Sequence, residues 1–501
     1  MKKVTLTLLL CCFLLLPSTM LAQSLTDALI MSDRDLTLSA RSLGMGNAYG
    51  AMGANPSSAI INPAGIGLYK NSDFNFTFNH QRTNLSNAFL GTTDQTRETD
   101  NSISNLSLNI YQERSENKRK YGGPLALQSY SFTFGVNRVS GLNRKVAISG
   151  INGNHSMIDF FMEQAHRNTG GAPNPENLGF YDGKAYDLFL IDTFEGEFVP
   201  AFFDENERNV SQTEEMNMSG RMSDYHAAMG FNFGDRLYLG ATLGLSRLRF
   251  ANDRFFDEAN ANPAEPNFQS MFLNESYDIS GVGFRFRAGA IVRVVDNLRL
   301  GVSYQAPSNF RMTDNWTIRM GSQQETIGSD NIVTRGSTNY TFTSPARYTL
   351  SGTYNLGGSM MLSVDYEIVD MSSVIFDDNA TGPGSDYSVL NQEINNNVQT
   401  QGIIRVGLEY LYDFFAFRAG FIHQQTPLES GSIANVNYDR SFNYFSGGIG
   451  YRDAGFYLEA AYMLRVGGFT HLPYTLENQA FEAATIAERR GNIMLTGGII
   501  F

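Results

Sequence analysis

Residues 237–246 read Leu-Tyr-Leu-Gly-Ala-Thr-Leu-Gly-Leu-Ser, and this stretch decides the fold. Leu237, Leu239, Ala241, Leu243 and Leu245 alternate with Tyr238, Gly240, Thr242, Gly244 and Ser246. A two-residue period sends successive side chains to opposite faces, so this is a strand with one apolar face and one polar or small face. The pattern recurs. Phe74, Phe76 and Phe78 form one apolar set; Phe456, Leu458, Ala460, Tyr462 and Leu464 form another, against Tyr457, Glu459, Ala461, Met463 and Arg465. About fourteen such segments lie between residue 72 and the C-terminus.

The connections are sorted by length. Gly234-Asp235-Arg236, Asp296-Asn297, Leu356-Gly357-Gly358, Asp413 and Arg452-Asp453-Ala454 are tight turns. The intervening connections, 139–217, 251–274, 313–336, 373–400, 426–440 and 467–487, are long; 114–127 fits neither group. Tight turns alternating with long loops mark an all-β, transmembrane, antiparallel up-and-down barrel, with turns toward the periplasm and loops outside. A soluble sandwich gives no reason for such sorting, and an apolar face on every strand needs lipid or a second sheet. An even strand count places both ends of the barrel on the periplasmic side.

Composition agrees. The 501 residues include 37 Phe and 24 Tyr with only 17% charged residues, which excludes a disordered chain. A formal charge of −13 excludes a strongly basic nucleic-acid binder. Lys2 and Lys3, the apolar run Leu6–Leu16 and the small residue Ala22 make residues 1–22 a secretory signal peptide. Cys11 raises a lipid anchor, but Leu10 stands where a lipoprotein signal carries a small residue. Cleavage after Ala22 removes both cysteines and shifts the charge from −13 to −15. The expected destination is the outer membrane of a Gram-negative bacterium, with the barrel set in its lipid as a monomer. Phe501 ends the chain on the outward face with Ile493, Leu495 and Ile499, where it joins an aromatic girdle.

With apolar faces toward lipid, the alternate residues line the lumen. They include Arg285, Arg287, Arg293, Arg299, Arg347, Arg405, Arg418 and Arg465, with Asp365, Glu367, Glu409 and Glu459. The mixed signs predict pairing within the lumen rather than a charge-selective pore. Fourteen strands enclose more space than wall side chains fill, so another element is expected inside. Residues 23–69 are the candidate plug, ahead of a barrel over 70–501. They are rich in Gly and Ala, hold two Asn-Pro turns and lack the two-residue period.

The run Gly44-Met45-Gly46-Asn47-Ala48, then Asn62-Pro63-Ala64-Gly65 just before the first strand, resembles the hatch of the FadL/TodX family of outer-membrane transporters. Residues 300–307 (LGVSYQAP), the segment Ser344-Pro345-Ala346-Arg347-Tyr348 and the terminal aromatic extend the likeness. The resemblance implies passive transport of long-chain fatty acids or aromatic hydrocarbons, with no cofactor, metal or catalytic residue. It assigns Gly44, Gly46, Asn62, Pro63, Ala64 and Gly65 to the hatch. It also implies an apolar capture groove on the outer loops and a lateral exit through a kinked third strand. Here that strand is about 128–138, with Gly135 as the candidate kink.

Within 139–217, Ile158, Phe161, Met162 and Ala165 have helical spacing, and Phe189, Phe194 and Phe198 follow. These are the candidate capture residues; packing of the loop onto the barrel rim is the competing role. The motifs Ser115-Glu116-Asn117-Lys118 and Ser329-Asp330-Asn331 echo penicillin-binding enzymes but lack the third element of that set. The six histidines have no metal-binding spacing. Gly44–Gly50 misses the dinucleotide pattern and follows no strand. Two rival functions remain: a non-transporting barrel that docks a partner or serves secretion, using Phe202, Phe203, Phe255 and Phe256, and an outer-membrane lipolytic enzyme.

Overall fold

The computed structural model describes residues 24–114, 125–171, 173–200, 209–261, 268–325, 327–378, 387–429, 439–476 and 482–501. The signal segment 1–22, the 115–118 motif, Phe202 and Phe203 lie outside these residues.

In chain order the strands are β1 (Asp73–Phe89), β2 (Thr92–Glu113), β3 (Leu127–Gly141), β4 (Arg144–Asn152), β5 (Ile191–Phe194), β6 (Glu197–Pro200) and β7 (Val210–Phe233). Then come β8 (Leu237–Asn260), β9 (Phe268–Val295), β10 (Leu298–Gln305), β11 (Ser308–Gln324), β12 (Gly328–Ser344), β13 (Arg347–Leu356) and β14 (Met360–Asp370). The last are β15 (Ile375–Asp377), β16 (Thr400–Tyr412), β17 (Phe415–Gln424), β18 (Phe442–Arg452), β19 (Phe456–His471) and β20 (Ala484–Ile500).

The ring runs β1–β2–β3–β7–β8–β9–β10–β13–β14–β16–β17–β18–β19–β20, every pair antiparallel. Pairing of β20 with β1, from Asp73↔Ile500 onward, closes it as a fourteen-stranded barrel. Ser72 and Phe501 exchange backbone hydrogen bonds of 3.1 and 3.0 Å at the seal.

The burial pattern is that of a lipid-embedded wall. Phe74, Phe76 and Phe78 are exposed, while Asn75, Thr77 and Asn79 between them are buried. On β8, Leu239, Leu243 and Leu245 are exposed and Thr242 and Ser246 buried. Farther along the same strand the sense reverses: Leu248 and Phe250 are buried and Arg247 and Arg249 exposed. Strand β9 reverses in the same place, with Val282, Phe284 and Phe286 exposed but Met271, Leu273 and Ile279 buried. The molecule therefore has a belt with apolar residues outside and a crown with apolar residues inside.

The crown corrects the loop boundaries expected from sequence. Residues 313–336 are no loop: β11 and β12 pair as a hairpin, and β11 continues the sheet along the outer half of β9. Residues 251–274 are largely the extensions of β8 and β9. These segments hide because a strand leaving lipid loses its outward apolar face while its backbone ladder continues.

Residues 24–69 form no strand. Helix α1 (Leu25–Ser32) starts on a capping box between Ser24 and Asp27; α2 (Ala40–Gly44) starts on one between Ser39 and Ser42. Helix α3 (Ser58–Ile61) leads into a 3-10 turn over Pro63–Leu68. Leu25, Leu29, Leu36, Leu38 and Leu43 pack with the inward Leu248, Phe250, Ile279, Phe310 and Phe342 of the crown in one core.

Candidate functional site

The N-terminal segment occupies the lumen, where strands from around the ring bind it through inward side chains. Thr242 on β8 donates to Ala59 O (2.9 Å), Ser303 on β10 donates to Ile61 O (2.8 Å), and Thr496 on β20 accepts from Ala40 N (2.9 Å). Asp365 on β14 accepts from both Tyr49 N and Gly50 N at 2.9 Å. The expected hatch residues lie at these contacts. Asn62 donates to Gly50 O (2.6 Å), joining the two glycine-rich turns, and accepts from Ala64 N (3.1 Å), which starts the turn at Pro63. Gly44 O accepts from Ser446 (3.2 Å), and Ser446 accepts from Gly46 N (3.0 Å). Gly46 has φ +59° and lies against the backbone of β17, so a side chain there meets both strain and overlap.

Charges bind the segment to one side of the ring. Arg41 reaches Glu409 (2.7 Å), which also pairs with Arg418 (2.6 Å), and Arg418 pairs with Glu459 (3.2 Å). Arg490 pairs with Asp35 (2.7 Å), and Arg347 donates to Ser32 O (2.6 Å) while pairing with Glu367 (2.7 Å). Arg287 and Arg285 share Asp224, at 2.5 and 3.7 Å. The lumen arginines expected from sequence (Arg285, Arg287, Arg405 and Arg418) are all buried and face carboxylates. Asp35, the partner of Arg490, belongs to the N-terminal segment, where no apolar alternation flags it. The inner face of β1 to β3 is different: Asn75, Asn79, Asn105, Asn109, Ser131 and Thr133 line it, all buried and uncharged.

Outward of α1 lies a chamber of about 480 Å³, within the range of small-molecule sites. Leu25, Leu29, Ile30, Met216, Met218, Phe250, Ile279 and Phe469 give it an apolar side, and Asp27, Arg144, Arg254, Glu275, Glu393, Asp439, Arg440 and His471 line it as well. Met216, Met218 and Phe469 also pack in an apolar cluster with Leu85, Phe89, Val146, Ile148 and Ile486. That cluster underlies a seam in the wall. Strand β2 pairs with β3 only from Asn105↔Asn137 to Glu113↔Ser129. Farther out the third stave breaks after Gly141, and β4 continues along β7 alone. Among the described residues, side chains alone join the outer half of β2 to this stave: Ser149 to Asp94 (2.8 Å), Thr96 to Lys145 O, and Arg138 to Asp100 (2.7 Å). The seam starts at the outer edge of the apolar belt, where Ile103 is the last exposed apolar residue of β2.

The irregularity expected at Gly135 lies elsewhere. Gly135 is paired in register with Ser107 on one side and His226 on the other; the slips fall between Leu127 and Ser129 and between Arg138 and Ser140. A Cβ at Gly135 would sit 2.7 Å from the Ser107 Cβ, so close approach rather than a bend requires glycine there.

Ile158, Phe161 and Phe198 are buried, and Met162 is partly buried against them. They form the core of the long loop, whose helix Met157–Thr169 packs on the rim with Phe256, Leu273 and Ile318. Phe189 and Phe194 are exposed, at 50% and 64%. Of the docking candidates, Phe256 is buried and Phe255 is exposed, stacked on Phe272 at 5.9 Å. His80 and His423 bond asparagines and His471 bonds Glu214. No group of three potential metal ligands gathers among the described residues.

Fold and lumen together define a fourteen-stranded barrel with its N-terminal segment folded inside. The chain has the fold of the FadL/TodX barrels. A Pseudomonas aeruginosa FadL homologue is 12% identical, with 93% of this chain and 99% of that one covered and a TM-score of 0.56. The P. putida toluene transporter TodX is 14% identical over the same shares, with a TM-score of 0.53. A TodX monoaromatic hydrocarbon channel mutant is 11% identical, covering 92% and 98%, with a TM-score of 0.54. No family profile matches the chain. No curated protein matches it either.

Proposed function

We propose that the protein is a passive outer-membrane channel for hydrophobic small molecules, long-chain fatty acids or aromatic hydrocarbons, which leave through the barrel wall. The observation that carries this is the continuity of the chamber's apolar side, through Met216, Met218 and Phe469, with the cluster beneath the β2–β4 seam. An apolar cargo leaving sideways stays out of water throughout, which is the favourable route for such a molecule. The solved barrels of the same fold include a toluene transporter, and the signal peptide expected at residues 1–22 suits an outer-membrane destination.

The parts divide the work. Exposed Phe189 and Phe194 offer first contact on the outer loop, backed by Ile158, Phe161, Met162 and Phe198. The chamber holds the cargo. The plug, residues 23–69, blocks the water path below, with its Gly44–Gly46 and Asn62–Gly65 turns seated against the wall. No covalent chemistry, metal or cofactor enters. The test is uptake of labelled fatty acids or alkylbenzenes by cells lacking and regaining the gene. Restored uptake supports the proposal; equal uptake in both rejects it for those substrates. The docking alternative draws on exposed Phe255, and predicts unchanged uptake with loss of a bound partner protein on its substitution.

A further inference from the structure

Beside residues 33–36, the extended stretch that follows α1, between the N-terminal segment and the wall, lies a second, much smaller cavity of about 20 Å³. Among the described residues, four guanidiniums (Arg34, Arg287, Arg347 and Arg405) and one carboxylate, Glu367, line it. Glu367 is already taken by Arg347 at 2.7 Å and by Arg405 at 2.6 Å. Arg287 turns its Nε to Gln305 (2.9 Å) and its Nη2 to Asp224 (2.5 Å). Its Nη1 has no hydrogen-bond partner although the residue is 2% exposed, and Arg34 Nη2 is likewise enclosed and unpartnered. Buried N–H donors without acceptors are costly, and several like charges around one void are costlier still. Burial, and then the facing Arg347, Arg285 and Arg287, hold the Arg34 guanidinium well below its ordinary pKa, another sign of an unbalanced cluster.

We infer that this cavity binds a small inorganic anion of chloride size, clamped between Arg34 of the N-terminal segment and Arg287 of the wall. The volume admits one body about as large as a water molecule, which leaves out phosphate and sulfate. A water of that size would leave the excess positive charge of the four guanidiniums in place. A halide accepts from several N–H groups, donates nothing and offsets the excess positive charge. By bonding both elements it holds the 33–36 stretch against the wall, so halide favours the seated position of the segment.

The test uses the full mature chain in detergent, without any transport assay, so its result is independent of the cargo. Crystals soaked in bromide are expected to show an anomalous peak between Arg34, Arg287, Arg347 and Arg405. The thermal midpoint is expected to rise saturably with chloride or bromide at constant ionic strength made up with gluconate, an anion too large to enter. Arg34→Gln should raise the half-saturating halide concentration about tenfold or more, the loss of one charge-assisted hydrogen bond. Arg82→Gln, on the exposed outer face, should leave it unchanged. A bromide-soaked crystal without anomalous signal in the cavity, or identical midpoints in chloride and gluconate, overturns the inference. So does equal stabilisation by a fatty-acid carboxylate in halide-free buffer, which would assign the cluster to cargo. The wild-type anomalous map decides the matter even where Arg34→Gln fails to fold.

Discussion

The belt and the crown are built from the same strands with opposite polarity. On β8, Leu243 and Leu245 face outward in the belt, whereas Leu248 and Phe250 face inward in the crown. The change of solvent explains it. In lipid a strand gains by showing apolar residues outside and hiding its polar ones, while in water the same ladder needs an ordinary apolar core. The contents follow the walls. The belt holds the N-terminal segment by charges, Arg41–Glu409–Arg418 and Arg490–Asp35, whereas the crown surrounds α1 with Phe250, Ile279 and Phe310 and leaves a chamber above it. The anchored side of the lumen is ionic, whereas the β1–β3 side is lined mainly by uncharged Asn, Ser and Thr side chains.

Removing the two glycine-rich turns of the N-terminal segment should have the largest effect. Deleting residues 44–65 is expected to leave an open, folded barrel, seen as a large rise in small-solute permeability of cells or in single-channel conductance; unchanged permeability would contradict a plug. Glu367→Gln should be next, because it leaves Arg347 and Arg405 facing each other without their shared carboxylate. A loss of about 3–5 kcal/mol is expected for breaking such a buried pair, measured by reversible unfolding in detergent or lipid. Leu248→Ala in the crown should cost about 2–5 kcal/mol by opening a cavity. Leu243→Ala, on the lipid face of the same strand, removes no core contact and should cost clearly less; equal losses at the two positions would erase the distinction between belt and crown. The smallest effect is expected for Gln95→Ala, exposed on the polar outer end of β2, within about 0.5 kcal/mol of wild type.

The belt was legible in the sequence because lipid imposes a strict two-residue contrast, as at Phe74, Phe76 and Phe78, and because tight turns separate those strands cleanly. The crown was not. From Thr313 to Gly336 the outward residues of β11 and β12 are largely polar, so nothing marks them as strands, and their inward Ile318 and Met320 read as scattered apolar residues in a loop. Gly135 illustrates a second limit. A lone glycine marks either a bend or a close approach, and here its tight packing on Ser107 decides for the latter. The inward arginines and their partners Glu367, Glu409 and Glu459 followed from strand parity, but the Asp35–Arg490 pair did not, since Asp35 lies in the N-terminal segment, which lacks the two-residue period. Helical spacing identified Ile158 and Phe161 as one face of a helix without saying that the face turns inward.

The central claim is passage through the seam, and tethering the seam tests it most directly. Asp94 and Ser149 touch across it, at 2.8 Å between Oδ2 and Oγ, and the chain's own cysteines, Cys11 and Cys12, lie in the expected signal peptide. In the double variant Asp94→Cys, Ser149→Cys, uptake of a labelled alkylbenzene or fatty acid is expected to fall severalfold on oxidation and to return on reduction, with both single variants unaffected. Full uptake by the oxidised, demonstrably cross-linked protein would contradict the lateral route.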